Sequence, residues 1–398
     1  LPLSVVVIAG LLGKMDPTHD NWKKVEENLN SFFGTVSERC QSILSLSYSY
    51  LPQYLRACFL YVGGFPEDSA IDVSKLIRLW IAEQFVRERS NKRIELVAEE
   101  YLEELIGRSL LLVGTLGDNG RMRSCKIHDL LRQLCIKEAH TENVVHVMNG
   151  NVPVSSEAID DQRRVILSEC REAYVYGTRH SNCITSITRT FISMLTYCPE
   201  GMIHSIVSHF KLLKVLDVSS MNYDFSLVIP QLVHLRYVDA RINEALSLAR
   251  LRNLQTIILQ SYEVTELPEE HPLSLNDLQT LSLWDSPFAA EIIRRTPNLK
   301  ELKIVHKSKH PDWPAILDSL SLLEELETLV IETEQTIDPL IDDCTPTVET
   351  SSKKIQEEQQ SSGNYELQVR IDCITEEEFI EGIMKWMNEP IELSRRCL

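Results

Sequence analysis

The chain has 398 residues, 43% hydrophobic and 25% charged, with a formal net charge of −18 at pH 7. That length exceeds one small core and predicts two or three domains of ordinary soluble composition. Residues 1–150 hold 17 Lys/Arg against 19 Asp/Glu and residues 332–398 hold 6 against 16, so no block is basic and non-specific nucleic-acid binding is disfavoured.

The apolar opening, residues 1–12, is too short to span a bilayer and lacks the basic flank of a signal peptide. A start at Leu1 reads as a fragment or an incomplete gene model. Ten cysteines occur without a CxxC pair or Cys/His ligand spacing. Most, such as Cys58, Cys135 and Cys198, sit in apolar surroundings, which fits reduced, buried thiols of a cytosolic protein.

Residues 1–36 predict a buried helix with Val5, Ile8, Leu11 and Leu12 on one face, a break at Asp16-Pro17, and a second helix from Trp22 to Phe33. Residues 37–140 predict a compact helical unit carrying a hairpin. Ser37, with Glu38 in the first turn, starts a helix through Leu46. Pro52 opens the next, which ends at Gly63-Gly64. Asp72 caps a helix containing Leu76, Ile77, Trp80 and Ile81. Residues 94–107 form another, with Leu96, Val97, Tyr101, Leu102 and Leu105 inward. Asp118-Asn119-Gly120 between the apolar runs 110–116 and 122–127 predicts a β-hairpin. A helix from Asp129 to Ala139 closes the unit. Three helices and a hairpin make a winged helix.

Residues 141–186 show no clean period and read as a transition segment. Leucine-rich repeats fill residues 187–332. Six LxxLxL units begin at Leu213, Leu235, Leu254, Leu278, Leu299 and Leu326, and a weaker copy begins near Ile187. Their starts lie 22, 19, 24, 21 and 27 residues apart, close to the period of such repeats. The leucines face the core and alternate residues project from the concave strand face. Among the projecting residues Tyr237, Arg241 and Trp284 are the best anchor types for a protein partner. Residues 333–364 are polar and acidic and predict a linker. In the tail, 365–398, a strand over 365–373 precedes a helix started by the capping box of Thr375 and Glu378. The expected fold class is α plus α/β, a helical region and winged helix followed by a leucine-rich-repeat solenoid.

No nucleophile elbow, HExxH or Cys/His signature occurs, and the acidic runs on predicted helices read as solvated faces. The phosphate loop GxxxxGK[ST] is absent too. Gly10-Leu11-Leu12-Gly13-Lys14 has the wrong spacing, with Met15 after the lysine. The chain is expected not to be an enzyme and to hold no cofactor tightly by itself; no metal site is expected.

Two segments ahead of the repeats carry a resemblance. They are Cys58-Phe59-Leu60-Tyr61-Val62-Gly63-Gly64-Phe65-Pro66-Glu67-Asp68 and Lys126-Ile127-His128-Asp129-Leu130-Leu131-Arg132-Gln133-Leu134. Lys75-Leu76-Ile77-Arg78-Leu79-Trp80-Ile81-Ala82-Glu83 fits between them. In this order, residues 1–332 resemble the C-terminal part of a plant NB-ARC leucine-rich-repeat disease-resistance protein, of the coiled-coil class and the late-blight-resistance-like group, truncated at its N-terminus. The resemblance makes residues 1–36 the C-terminal helical remnant of the nucleotide-binding ARC region. Leu1-Pro2-Leu3 resembles the end of a GLPLA-type motif, which makes Pro2 an adenine contact. Ile127-His128-Asp129 resembles the MHD motif, with Ile in place of Met. His128, at a helix N-terminus where N–H groups favour an anion, would contact the β-phosphate of ADP, and Asp129 would cap the helix.

The implied function is that of an intracellular immune receptor whose repeats sense a pathogen effector or a guarded host protein. They press on the winged helix until sensing releases it, ADP exchanges for ATP, and the receptor self-associates to trigger defence and hypersensitive cell death. The expected location is cytoplasmic, with peripheral membrane association allowed and no transmembrane segment. The alternative is a truncated, non-switching decoy or repeat scaffold. A winged-helix transcription factor fits worst, because the helix over 94–107 carries Glu95, Glu99, Glu100, Glu103 and Glu104, which repel phosphates.

Overall fold

The computed structural model describes residues 2–89, 92–117, 120–148, 162–168, 187–195, 210–242, 250–261, 275–284, 289–306, 313–320, 322–323, 325–333 and 368–372. Asp118, Asn119, the sequence-predicted linker from residue 334 and the predicted tail helix lie outside them. The chain divides into two units, Leu1–Met221 and Asn222–Leu398.

In the first unit, α1 (Pro2–Lys14) is apolar on every side, so its sequence alone does not choose a buried face. Packing against α3 chooses it. Ser4, Val7 and Leu11 turn inward, and the Ser4 hydroxyl donates to Cys40 Sγ at 3.2 Å. Val5, expected inside, is 67% exposed. Thr18 caps α2 (His19–Asn30), and α3 (Val36–Ser49) starts one residue earlier than Ser37 suggests. The cause is a capping box. Thr35 Oγ1 accepts from the Glu38 amide at 3.3 Å, and the Glu38 carboxylate accepts from the Thr35 amide at 2.7 Å.

Pro52 precedes α4 (Gln53–Val62), which ends at Gly63 as expected. Asp72 accepts from the Lys75 amide at 2.7 Å and caps α5 (Val73–Ala82). α6 (Ile94–Gly107) buries Val97, Tyr101, Leu102 and Leu105, whereas Leu96, expected inward, is 38% exposed. The wing is β2 (Leu112–Val113) paired antiparallel with β3 (Ser124–Lys126). β1 (Ile71–Asp72) adds an antiparallel partner on the other edge of β3, giving the order β1-β3-β2. Two residues of strand are too short to leave a periodic signature, so the pattern did not reveal β1. α7 (Asp129–Thr141) packs on α4 and closes the winged helix over Trp80, Tyr61, Phe59 and Leu55.

α7 approaches closely at Gly63. A Cβ there would lie 2.5 Å from Cys135 Cβ. Its φ of −59° suits any residue, so the glycine serves close approach rather than backbone freedom.

The solenoid begins earlier than the leucine pattern. β4 (His146–Met148) and β5 (Arg164–Leu167), inside the stretch read as transition, pair in parallel with each other, and β5 pairs with β6 (Thr190–Ser193). β6 pairs in turn with β7 (Val215–Asp217). These strands are three or four residues long and Val- and Ile-rich, which hides them from a search for leucines.

In the second unit, β8 (Tyr237–Ile242), β9 (Thr256–Ser261), β10 (Thr280–Trp284), β11 (Glu301–His306), β12 (Thr328–Thr333) and β13 (Gln368–Asp372) form a parallel ladder in chain order. α8 (Ala289–Arg294) and α9 (Trp313–Leu320) lie in the returns. One register row runs Val238, Ile257, Leu281, Leu302 and Leu329, all buried. Each strand buries its leucines only against its neighbours, which is the stacking logic of a solenoid. The observed fold is therefore a helical region and winged helix with a parallel-strand solenoid, as the sequence pattern indicates.

Gly63→Ala is expected to destabilise the chain by about 1–3 kcal/mol through overpacking. A chemical-denaturation midpoint unchanged from wild type would refute the close-approach role. A second expectation concerns His146, whose ring lies edge-on to His140 at 4.4 Å between centroids. Burial first, then the neighbouring His140, push His146 below the ordinary value of 6.5. The unfolded chain then binds the extra proton first, so stability falls as pH drops below about 6.5. His146→Gln should flatten that part of a stability–pH curve; a curve of unchanged slope would count against it.

Candidate functional site

His128 occupies the N-cap of α7 with extended backbone, φ −71° and ψ 143°. Asp129, expected as the cap, is instead the first helical residue. The Asp129 carboxylate meets His128 Nδ1 directly and accepts from the Leu130 amide at 2.7 Å. The same amide lies 3.3 Å from His128 Nδ1. A bare Nδ1 lone pair cannot face a carboxylate oxygen and accept from that amide as well. The consistent arrangement has Nδ1–H donating to Asp129, with the Leu130 amide satisfied by the carboxylate. Asp129 thus already fills the positive end of α7. An outside anion would meet the His128 ring, 39% exposed, rather than the helix N–H groups, and Nε2 can donate to it only when that nitrogen carries a proton as well.

Behind this loop, the winged helix sits on the strands of its own unit through three buried polar ties. Glu83, the C-cap of α5, has a carboxylate 4% exposed. Arg164 of β5 donates to it from Nε at 2.6 Å, and the Thr190 hydroxyl of β6 donates to its other oxygen. Gln84 follows with φ +62°, and the amide of Phe85 bonds Trp80 O at 3.0 Å, closing the helix in a Schellman turn. Phe85 then carries the Arg164 guanidinium 4.8 Å from its ring centroid.

The second tie is Lys75 of α5, whose Nζ lies 2.7 Å from Asp217 Oδ2 on β7. The other Asp217 oxygen accepts from the Ser219 hydroxyl at 2.9 Å. Asp217 is 3% exposed and Lys75 27%. The third is Arg132 of α7, which reaches Phe65 O and the Ser168 hydroxyl. Ile166 of β5 abuts Gly64 so closely that a Cβ there would overlap its side chain. Asp217, which alternates with Leu216 and Val218 and so falls at a projecting position of the first LxxLxL unit, is interior, because the winged helix lies against it. None of these partners is marked in the sequence by spacing, since each joins residues more than 35 positions apart.

Of the other sequence-derived site residues, Pro2 is exposed in the first turn of α1, where a missing N–H costs nothing. Pro2 and His128 belong to the same unit but start different helices. Tyr237 and Arg241 share β8 in the other unit. Tyr237 is fully buried, so its ring is not available to a partner in this conformation. Arg241 is half-buried and donates from Nη1 to Asn222 Oδ1. The side chain of Trp284 lies outside the described residues. Among the described residues no cluster of metal-ligating groups occurs.

Residues 65–135 match the family of the disease resistance protein winged helix domain. The chain is a homologue of plant disease-resistance proteins. It is 32% identical over 342 residues to the late blight resistance protein homolog R1B-16 of Solanum demissum, and 34% identical over 349 residues to homolog R1B-14. It is 33% identical over 356 residues to the Late blight resistance protein R1-A of the same species. Each match covers 76% of this chain and 26 or 27% of the relative. The chain therefore spans about a quarter of the length of the curated relatives it matches. Among the described residues no helix is long and apolar enough to cross a membrane.

The Lys75–Asp217 pair yields an expectation for the disease-resistance winged helix. Lys75→Met leaves Asp217 buried without its cation and should cost about 1–3 kcal/mol, below the full buried-pair figure because Lys75 is partly exposed. Lys75→Met with Asp217→Leu should recover most of that loss. Urea melts showing the double variant as weak as the sum of the singles would contradict the pairing.

Proposed function

We propose that this chain is the regulatory and recognition part of a plant intracellular immune receptor. Its repeats sense a pathogen effector or a guarded host protein. The first strands of the solenoid bear on the winged helix, and the winged helix presents His128 to the β-phosphate of ADP. Pro2 lies on the adenine side. The observation that carries the reading is the buried polar seam in which Glu83 and Lys75 find partners on the strands and Arg132 finds one on the residue after β5. A seam of ion pairs binds specifically but releases more readily than an apolar one of equal area, because each separated charge regains water. That is the behaviour a two-state element needs.

In this reading the cofactor is ADP, exchanged for ATP, held jointly with a nucleotide-binding module that supplies the phosphate loop. Self-association follows exchange, and defence signalling with hypersensitive cell death is the output. The chain's own residues orient the phosphate and report on the repeats; hydrolysis is no part of their role. The site of action is the cytoplasm, with any membrane association peripheral.

The test is His128→Ala in a receptor that contains the nucleotide-binding module. The expected result is weaker retention of ADP through purification, together with effector-independent cell death in leaf tissue. A variant that keeps its ADP and stays quiescent would remove His128 from the switch.

A further inference from the structure

Arg132 carries the most specific arrangement that neither the motif nor the repeats explain. Its side chain is 3% exposed. Nε donates to Phe65 O at 2.6 Å, Nη2 donates to Ser168 Oγ at 3.2 Å, and Nη1 stands 3.5 Å from Glu67 Oε1. Its own amide donates to His128 O at 2.9 Å. One residue therefore touches three places: the turn after α4, the residue following β5, and the carbonyl of the α7 N-cap.

The partners are themselves held. Ser168 is fully buried, and its amide donates to Met148 O at 3.0 Å, which fixes it in the ladder beside β4. A guanidinium presents its donors in a rigid planar fork, so it can serve Phe65 O and Ser168 Oγ together only when β5 and α7 stand at one spacing. At another spacing these two bonds cannot both be made, and the loss of a hydrogen bond to a buried guanidinium is costly. Glu67, with a side chain 45% exposed, cannot replace those bonds.

We infer that Arg132 is a positioning residue that fixes the first turn of α7, and hence His128, to the first strands of the solenoid. The functional meaning of this tie rests on the receptor reading above; the tie itself does not. Displacement of β5 would transmit to the His128 loop through Arg132 before it reached the helical core.

Hydrogen exchange on the full 398-residue chain, without nucleotide, tests it. Ser168→Ala removes the hydroxyl that accepts from Arg132 Nη2 and leaves the winged-helix sequence intact. The expected result is exchange at least tenfold faster at the amides of residues 132–134, with α5 and β3 at wild-type rates. Arg132→Gln should give the same local acceleration. The double variant should be no faster than Arg132→Gln alone, because both changes cut one link. Wild-type rates at residues 132–134 in Ser168→Ala would overturn the inference, as would equal acceleration throughout the chain. Loss of the inference in this assay leaves the ADP reading untouched. A His128→Ala receptor that retains ADP leaves the exchange result standing.

Discussion

A carboxylate taken out of water has to be met by opposite charge and hydrogen bonds, or the fold loses several kcal/mol. Glu83 is in that position at the end of α5. Both of its oxygens accept hydrogen bonds from the strands, from Arg164 and Thr190. The winged helix is therefore incomplete until β5 and β6 lie against it. The Schellman turn at Gln84 holds the carboxylate in place, and Phe85 supports the arginine that answers it. Burial, and then the nearby Glu83 charge, push the enclosed Tyr61 phenol well above its usual value, which keeps that hydroxyl neutral. Lys75–Asp217 and Arg132–Ser168 extend the same seam on either side.

The solenoid is built by repetition, and in both units several residues of the rows beside its leucine core are buried. Within the first unit, the row that alternates with the leucine core runs through Thr190 and Val215, and a second runs through Ile192 and Asp217. The winged helix reaches both the Thr190 and the Asp217 rows, so the strand face there is protein interior. In the second unit the equivalent rows run Tyr237, Thr256, Thr280, Glu301 and Thr328, and Asp239, Ile258, Ser282, Lys303 and Val330. Repeat position alone does not say which face is a surface. It gives the row, and local packing decides the exposure: Tyr237, Asp239 and Thr256 of the second unit are buried as well.

Much of the architecture could be read from residues. Pro52, Gly63, Asp72 and the helix over 94–107 follow from local chemistry that tertiary packing does not overturn. Six in-phase repeats left little room for another solenoid type. The failures have physical causes. The pattern places Val5 and Leu96 inward because a helix rich in apolar residues offers several nearly equal faces, and the neighbour chooses among them. β4 and β5 leave no mark in the sequence because a strand of three or four residues has no period to detect. For the site, a resemblance located His128, while its N-cap geometry and the competing Asp129 carboxylate needed coordinates. Glu83, Arg164, Arg132 and Asp217 were not legible as a set, because charge pairing across the seam leaves no trace in spacing.

The strands β4 to β7 also decide where this chain can be divided. Leucine periodicity invites a junction near residue 187, where the repeats become recognisable. A graft made there would keep Glu83 and Lys75 but substitute foreign residues for Thr190 and Asp217, so inherited charges would face partners chosen for another winged helix. A junction between Met221 and Asn222 keeps Glu83, Lys75 and Arg132 with the residues that answer them. Exchange of solenoid segments between relatives is thus least disruptive some 34 residues further along the chain than the pattern suggests, and strands β4 to β7 travel with the winged helix.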